Sequence, residues 1–210
     1  GGTKDEKTIF YTALYHTMID PRIYTDADGR YVGGDYKVHA ADDTFTKHTI
    51  FSGWDVFRSQ FPLQTIINPG LVSDELNSLI TMADQSGREY YERWEFLNSY
   101  TGCMLGNPAL SVLADAYVKG IRTYDVEKAY QYAVNTSRRF GNDSLGYTPG
   151  ALSISHTLEY AYTDWCISQL AEALGKKDDA KNFREKGQVY HNIFDKEKGW
   201  FRPRNADGTW

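Results

Sequence analysis

The sequence predicts an all-α fold built of helical hairpins, and three observations carry that reading. Apolar residues recur at helical spacing in several long segments, Pro and Gly punctuate those segments at short linkers, and two of the hairpins echo each other. The echo is Leu-Ala-Asp-Ala-Tyr at 113–117 against Leu-Glu-Tyr-Ala-Tyr at 158–162, 45 positions apart. That is too long for a tetratricopeptide period of about 34 and falls within the roughly 40–47 of HEAT-like repeats. Hairpins repeated in this way build either an open solenoid or a closed α/α toroid.

Taken in order, the first helix runs from Lys4 to about Met18, with Ile9, Leu14 and Met18 in loose helical spacing and Asp20-Pro21 as its terminator. Tyr24 to Asp43, with Asp-Ala-Asp-Gly, Gly-Gly and Ala-Asp-Asp around Tyr31, Val32, Tyr36 and Val38, reads as an irregular loop holding a short hairpin. Its Asp26-Ala27-Asp28-Gly29 lacks the ligand order of a calcium EF-loop and reads as a turn. After Ser52 a helix is expected to about Ile67, a stop at Asn68-Pro69-Gly70, and a restart with Ser73 as N-cap. Gly87 to Asn107 has no clean period but many charged and aromatic residues, the profile of a functional or tied-down loop. Pro108–Gly120 and Val126–Arg139 form a second helix pair, Ser153–Leu174 and Asp178–Phe194 a third. From Gly199 to Trp210 the tail reads as a strand followed by an Asp-Gly turn opening a hairpin.

The chain has 210 residues, 41% hydrophobic and 24% charged, ordinary globular values with room for one sizeable core. Its net charge of -5, with dispersed basic residues, leaves no electrostatic footprint for nucleic acid or an acidic membrane. No apolar run approaches the roughly 20 residues that span a bilayer, and the first residues lack the basic-then-apolar order of a signal peptide. Cys103 and Cys166 stand apart without metal-ligand spacing. The unusual value is 15% aromatic residues, with 16 Tyr and 5 Trp. Aromatic faces stack on sugar rings as readily as they fill cores, so a carbohydrate site is worth seeking.

The stretches KTIFYTALYHTMIDPR, FSGWDVFRSQFPL, YTGCMLGNPALSVLADAYVKGI, SHTLEYAYTDWCISQLAEALGK and GWFRPRNADGTW follow one another in this order. Together they resemble the catalytic domain of the glycoside hydrolase family 92 exo-α-mannosidases. The resemblance implies an (α/α)6 toroid, calcium dependence, and inverting hydrolysis of terminal α-linked mannose from N-glycans or mannans. It further implies a periplasmic or extracellular protein, and that residues 1–210 are a part of the catalytic domain. A β-sandwich domain would precede Gly1, and the rest of the toroid, a partner within the same polypeptide, would follow Trp210.

A terminal mannose offers an apolar ring face and a fan of hydroxyls. Trp54 fits as the stacking platform, Asp55 as acceptor and Arg58 as donor, and charge-assisted bonds of this kind orient a neutral sugar well. A helix turn with a packed Trp and a local Asp55–Arg58 ion pair is the plainer reading. Inversion needs one carboxylic acid to protonate the leaving oxygen and one carboxylate to activate water, about 6.5–9.5 Å apart. In α-1,2-acting members of the family the acid is the Glu of an Asn-Glu-Thr just before Met-Ile-Gly. Here Ser99-Tyr100-Thr101 precedes Met104-Leu105-Gly106, so Tyr100 takes the acid's position.

A phenol, ordinarily near pKa 10, is a poor acid for a sugar leaving group. The departure points to another linkage or to a better leaving group, such as a phosphodiester-linked mannose. Glu95 and Glu92 are the nearby carboxylates that would substitute. Asp207 is the one carboxylate of the last motif and the candidate base, though an Asp before Gly is first a turn residue. The resemblance implies that Glu159 matches part of the family's Ca2+ site, with His156 and His16 as packing residues or supports behind the ligands. Two readings compete with the mannosidase: a helical-repeat scaffold binding a protein partner, and a toroid glycosidase of another sugar specificity.

Overall fold

The structure is a computed structural model and describes residues 1–41, 44–142 and 144–210. Helix α1 (Lys4–His16) opens with a capping box: Glu6 N–H donates to Thr3 Oγ1 at 3.2 Å and Thr3 N–H to Glu6 Oε2 at 2.6 Å. None of its residues is buried. Its far end is tied down by Gln60, whose Nε2 donates to the carbonyls of Thr17 (2.9 Å) and Asp20 (2.5 Å).

Among the described residues there are four small two-stranded antiparallel sheets. β1 (Arg22–Ile23) pairs with β4 (His48–Thr49), and β2 (Arg30–Val32) with β3 (Val38–Ala40), the hairpin expected in that loop. The Ala-Asp-Asp end of the loop, Asp42 and Asp43, lies outside the described residues. β5 (Glu95–Phe96) pairs with β6 (Ser99–Tyr100), and β7 (Phe194–Asp195) with β8 (Trp200–Phe201). The tail strand therefore pairs back onto the chain before it, and the Asn205–Thr209 turn after it is closed by an Asn205 N–H to Thr209 carbonyl bond of 2.8 Å.

The expected helix from Ser52 to Ile67 is two pieces, α2 (Gly53–Val56) and α3 (Gln60–Ile67). Pro62 explains the break: its ring would clash with the carbonyl four residues back, that of Arg58, so the helix restarts with Pro62 in its first turn. Helix α4 (Pro69–Gln85) begins earlier than expected. Asn68, not Ser73, is its N-cap, with Asn68 Oδ1 accepting from Leu71 N–H at 3.3 Å, and Pro69 takes the first helical position, where its missing N–H costs nothing. Ser73 lies buried inside the helix and bonds the Thr123 carbonyl at 3.3 Å. Helices α5 (Pro108–Val118), α6 (Val126–Arg139) and α7 (Ser153–Ala173) sit where periodicity places them. The last helix is shorter: α8 (Lys177–Lys186) ends before Gly187, and Val189–Ile193 is a 3-10 turn.

The helices form two rows. α5 packs on both α3 and α7 in one row; α4 and α6 pack on each other in the second, and α8 lies against α7. Polar bonds join the second row: Lys128 Nζ of α6 meets Asp84 Oδ2 at 3.0 Å, and Tyr130 OH of α6 donates to Asp179 of α8 at 2.7 Å. Between the rows lies the core, with Val72, Leu76, Leu110, Leu113, Ala133 and Ile167 fully buried, and alanines such as Ala116, Ala133 and Ala171 where helices approach closely. The starts of the first row gather on one side, where Trp54 before α3 and Gly106 before α5 both reach Glu159 near the start of α7. The loop from Gly87 to Asn107 closes over that side.

Candidate active site

Trp54 is the second residue of α2, Gly106 stands two residues before α5, and Glu159 lies in the second turn of α7. Row ends that are distant in sequence thus deliver side chains to one place. Glu159 Oε1 accepts from Trp54 Nε1 and from Arg58 NH2, both at 3.1 Å. The Arg58 guanidinium also donates through Nε to the Trp54 carbonyl at 3.1 Å and covers its indole, with Cζ 4.3 Å from the ring centroid and 4.7 Å from that of Phe57. One face of Trp54 is therefore occupied by a cation, a favourable stack in its own right.

Asp55 is exposed and accepts from Ser52 Oγ, and Arg58 pairs with Glu159 rather than with Asp55. The local Asp–Arg pair does not form because α2 ends at Val56 and carries Arg58 off the helix. Of the three predicted sugar-binding residues, the structure brings Trp54 and Arg58 together and joins them to Glu159; Asp55 lies beside them on α2.

Phe57, Arg58, Leu158, Glu159 and Tyr162 line a hollow of about 400 Å³. A neighbouring groove of about 340 Å³ shares Arg58 and Tyr162 and continues along the first row past Ser111 and Trp165. The backbone strap at Gly106 lies against Glu159, one of the residues that line the hollow. Gly106 has φ +78°, and a Cβ there would stand 3.1 Å from Glu159 Oε2. Gly53 has a similar constraint at the base of Trp54, where a Cβ would stand 2.5 Å from the Arg93 carbonyl and 2.6 Å from Pro108 Cγ.

Tyr100 lies at the end of the β5–β6 hairpin. Its hydroxyl accepts from Arg93 Nε at 3.0 Å and NH2 at 2.9 Å. Burial, with the charge of Arg93 beside it, holds His156 below the ordinary imidazole value, and its ring tilts against Tyr160 at 5.5 Å. Glu95, directly across the hairpin from Tyr100, is fully buried. It accepts from Thr49 Oγ1 (2.6 Å), Ile50 N–H (2.8 Å), Phe51 N–H (3.3 Å) and Asn98 N–H. Four donors fill a carboxylate's acceptor sites, the arrangement of an anchor under the hairpin. Beneath it Lys47, fully buried, donates to the His48 carbonyl (2.8 Å) and Asn98 Oδ1 (2.9 Å), and burial brings its ammonium down to about 8.

Glu92 pairs with Arg88, and burial pushes its carboxyl up to about 7. Asp207 is exposed in the last turn, where Oδ1 accepts from Thr209 N–H (3.0 Å) and Oγ1 (2.8 Å); those bonds hold it below the usual carboxylate range. Neither Glu95 nor Asp207 is bonded to the Trp54–Arg58–Glu159 cluster. Calcium takes six to eight oxygens. Among the described residues no group of three or more His, Cys, Asp or Glu gathers, and the one carboxylate in the hollow already carries a guanidinium.

Arg93, Gly53 and Gly106 are the site residues that sequence reasoning missed. Arg93 sat in a stretch without period; the Gly106-Asn107-Pro108 boundary marked a helix start but gave no hint of what the glycine faces.

Comparison with known proteins identifies the family of the chain. The model of the glycosyl hydrolase family 92 catalytic domain matches residues 1–210. A solved family 92 α-mannosidase from Bacteroides thetaiotaomicron is 36% identical, with a TM-score of 0.94 over 100% of this chain and 30% of that one. The same enzyme is known in complex with mannoimidazole. A family 92 inverting mannosidase from Bacteroides thetaiotaomicron VPI-5482 is 33% identical, with a TM-score of 0.90 over 100% of this chain and 30% of its own. An uncharacterized secreted glycosidase from Arthroderma benhamiae is 31% identical over 142 residues, 50% of this chain and 18% of that protein. The chain spans less than a third of the length of these relatives. It belongs to glycosyl hydrolase family 92, within the catalytic domain.

Proposed function

We propose that the polypeptide containing this chain is an exo-α-mannosidase that removes terminal α-linked mannose with inversion, acting in the periplasm or outside the cell. The observation that carries the reading is the convergence of Trp54 and Arg58 on Glu159 beside a hollow, in a chain whose solved relatives are α-mannosidases. The two rows of helices read as an arc of an (α/α)6 toroid, its inner row being α3, α5 and α7, with a β-sandwich domain before it and the remaining hairpins after it.

In this reading the open face of Trp54 takes the apolar face of the mannose, and Asp55 and Arg58 address its hydroxyls. Glu159, held by two donors, orients both Trp54 and Arg58. Tyr100 presents a hydroxyl rather than a carboxylic acid to the leaving group. Glu95, with four donors, holds the hairpin that carries it, and the carboxylate that activates water is Asp207 or lies beyond this chain. Calcium dependence is part of the proposal. The described residues supply one carboxylate, so the rest of such a site would come from outside this chain.

The test is release of free mannose by the full polypeptide, with NMR showing β-mannose as the first product. Phosphodiester-linked mannose should be cleaved in preference to α-1,2-mannobiose, and Tyr100→Glu should shift the balance towards the disaccharide. Efficient hydrolysis of the disaccharide by the unaltered protein would assign the proton to another group. Loss of activity with a chelator, restored by Ca2+, tests the metal.

A further inference from the structure

Arg93 directs all three of its nitrogens into one loop. Nε and NH2 both donate to the Tyr100 hydroxyl oxygen, at 3.0 and 2.9 Å, and NH1 donates to the Met104 carbonyl at 3.1 Å. The guanidinium itself lies over the ring of Phe140, 5.1 Å from its centroid, a favourable cation–π contact. A phenol oxygen has two lone pairs and one proton. With both acceptor positions filled from one side, the Tyr100 proton has only directions away from Arg93. From Met104, at φ +61°, the chain runs to Gly106, whose missing side chain lets the backbone lie against Glu159 Oε2. Tyr100 is thus gripped twice: its backbone by pairing with the buried Glu95, its hydroxyl by Arg93.

We propose that Arg93 is a positioning residue that makes the Tyr100 hydroxyl a one-way hydrogen-bond donor to an oxygen of the substrate, and that it holds the 104–106 strap against Glu159. This rests on the glycosidase reading. No proton transfer is required of Tyr100: the bond it donates selects an acceptor oxygen, and Arg93 sets its direction. Lysine could not replace Arg93, because a single ammonium does not present two parallel donors to one oxygen while reaching a second carbonyl.

The experiment uses the full polypeptide, its Arg93→Met, Arg93→Lys, Arg93→Ala and Tyr100→Phe variants, and the Arg93→Met/Tyr100→Phe double variant. Losing a charge-assisted bond to a substrate-facing group should lower kcat/KM by about 10–100-fold in each of Arg93→Met and Tyr100→Phe, with the same division between kcat and KM. The double variant should be no worse than the poorer single one, because both remove the same interaction. Methylguanidine should restore part of the Arg93→Ala activity, and Arg93→Lys should stay impaired. Multiplying losses, an Arg93→Met variant within twofold of wild type, or full activity in Arg93→Lys would each overturn the proposal.

An arm independent of turnover separates this from the mannosidase reading. Hydrogen exchange at the amides of Thr101 and Cys103, which bond to the Trp94 carbonyl and Thr101 Oγ1, should quicken in Arg93→Met and in Arg93→Lys. Absence of mannose release by wild type would count against the proposed substrate alone. Unchanged exchange in both variants would overturn the role of Arg93 whatever the substrate.

Discussion

Trp54 is held by its own chemistry from two directions, the indole N–H on Glu159 and the ring face under Arg58. Removing it takes away the proposed stacking platform and also the packing that keeps Arg58 aimed at Glu159. Trp54→Ala in the full polypeptide should therefore lower kcat/KM by about 100-fold or more, the cost of losing a platform and misplacing its neighbour. Near-normal kcat/KM with intact folding would sink the assignment. Glu75 shows a different single-residue effect. It is fully buried in α4, and burial pushes its carboxyl from the usual 4.5 up to about 8. Between those two values the folded chain holds a proton that the unfolded chain has released, so its contribution to stability is complete below 4.5 and disappears as pH rises through 8. The urea midpoint should fall more steeply between pH 5 and 8 in wild type than in Glu75→Gln; equal slopes would show that Glu75 does not carry the effect. Lys47 has the opposite sign in a higher window. Its buried ammonium costs stability below about 8, and the cost is relieved as pH climbs towards 10.5.

Elements with long periodic stretches were legible, and of the strands built from two residues only the tail strand β8 was. α5, α6 and α7 follow from apolar spacing, with Asp125 capping α6 by accepting from Lys128 N–H at 3.0 Å. The β5–β6 hairpin left no comparable signal. Its turn residues, Leu97 and Asn98, both adopt positive φ (51° and 60°), the geometry usually signalled by Asn-Gly. Here tertiary bonds impose it: Lys47 donates to the Asn98 side-chain oxygen, and Asn98 Nδ2 donates to the Val32 carbonyl at 2.9 Å. The start of α4 was misread because Ser73 and Asn68 both suit a cap, and Pro69 decides between them. Trp54 and Glu159 were legible as candidates from the family resemblance, but their bond across 105 positions has no local signature. The 104–106 strap offers an element-scale test. At φ +78° an alanine in place of Gly106 would cost about 1–2 kcal/mol in backbone strain, and its Cβ, 3.1 Å from Glu159 Oε2, would force the carboxylate to shift. Gly106→Ala should lower kcat/KM by about tenfold or more while moving Tm by only a few degrees. A drop in Tm with unchanged kcat/KM would mean the strap matters for folding alone.

At the scale of the whole chain, the first row of helices and α1 show apolar surface that nothing among the described residues covers. Ile9 is 70% exposed and Phe10 62% on α1, a helix without a buried residue. On the row of α3, α5 and α7, Ile66 is 74% exposed and Val118 61%, with Trp165 also open. Apolar patches of this extent on a soluble monomer mark surfaces that something covers. The solved relatives are more than three times as long, and the rest of the same polypeptide is the natural cover in the proposed toroid. Expressed alone, the 210-residue chain should therefore associate. Light scattering after size exclusion should give a mass well above 24.0 kDa, or a broad distribution of species. Activity should fail as well, because the described residues bring one carboxylate, Glu159, to the hollow beside Arg58, and the proposed inversion needs two. A monodisperse 24.0-kDa species that releases mannose at a rate comparable to the full polypeptide would overturn both the proposed cover of these faces and the view that a second carboxylate comes from outside the chain.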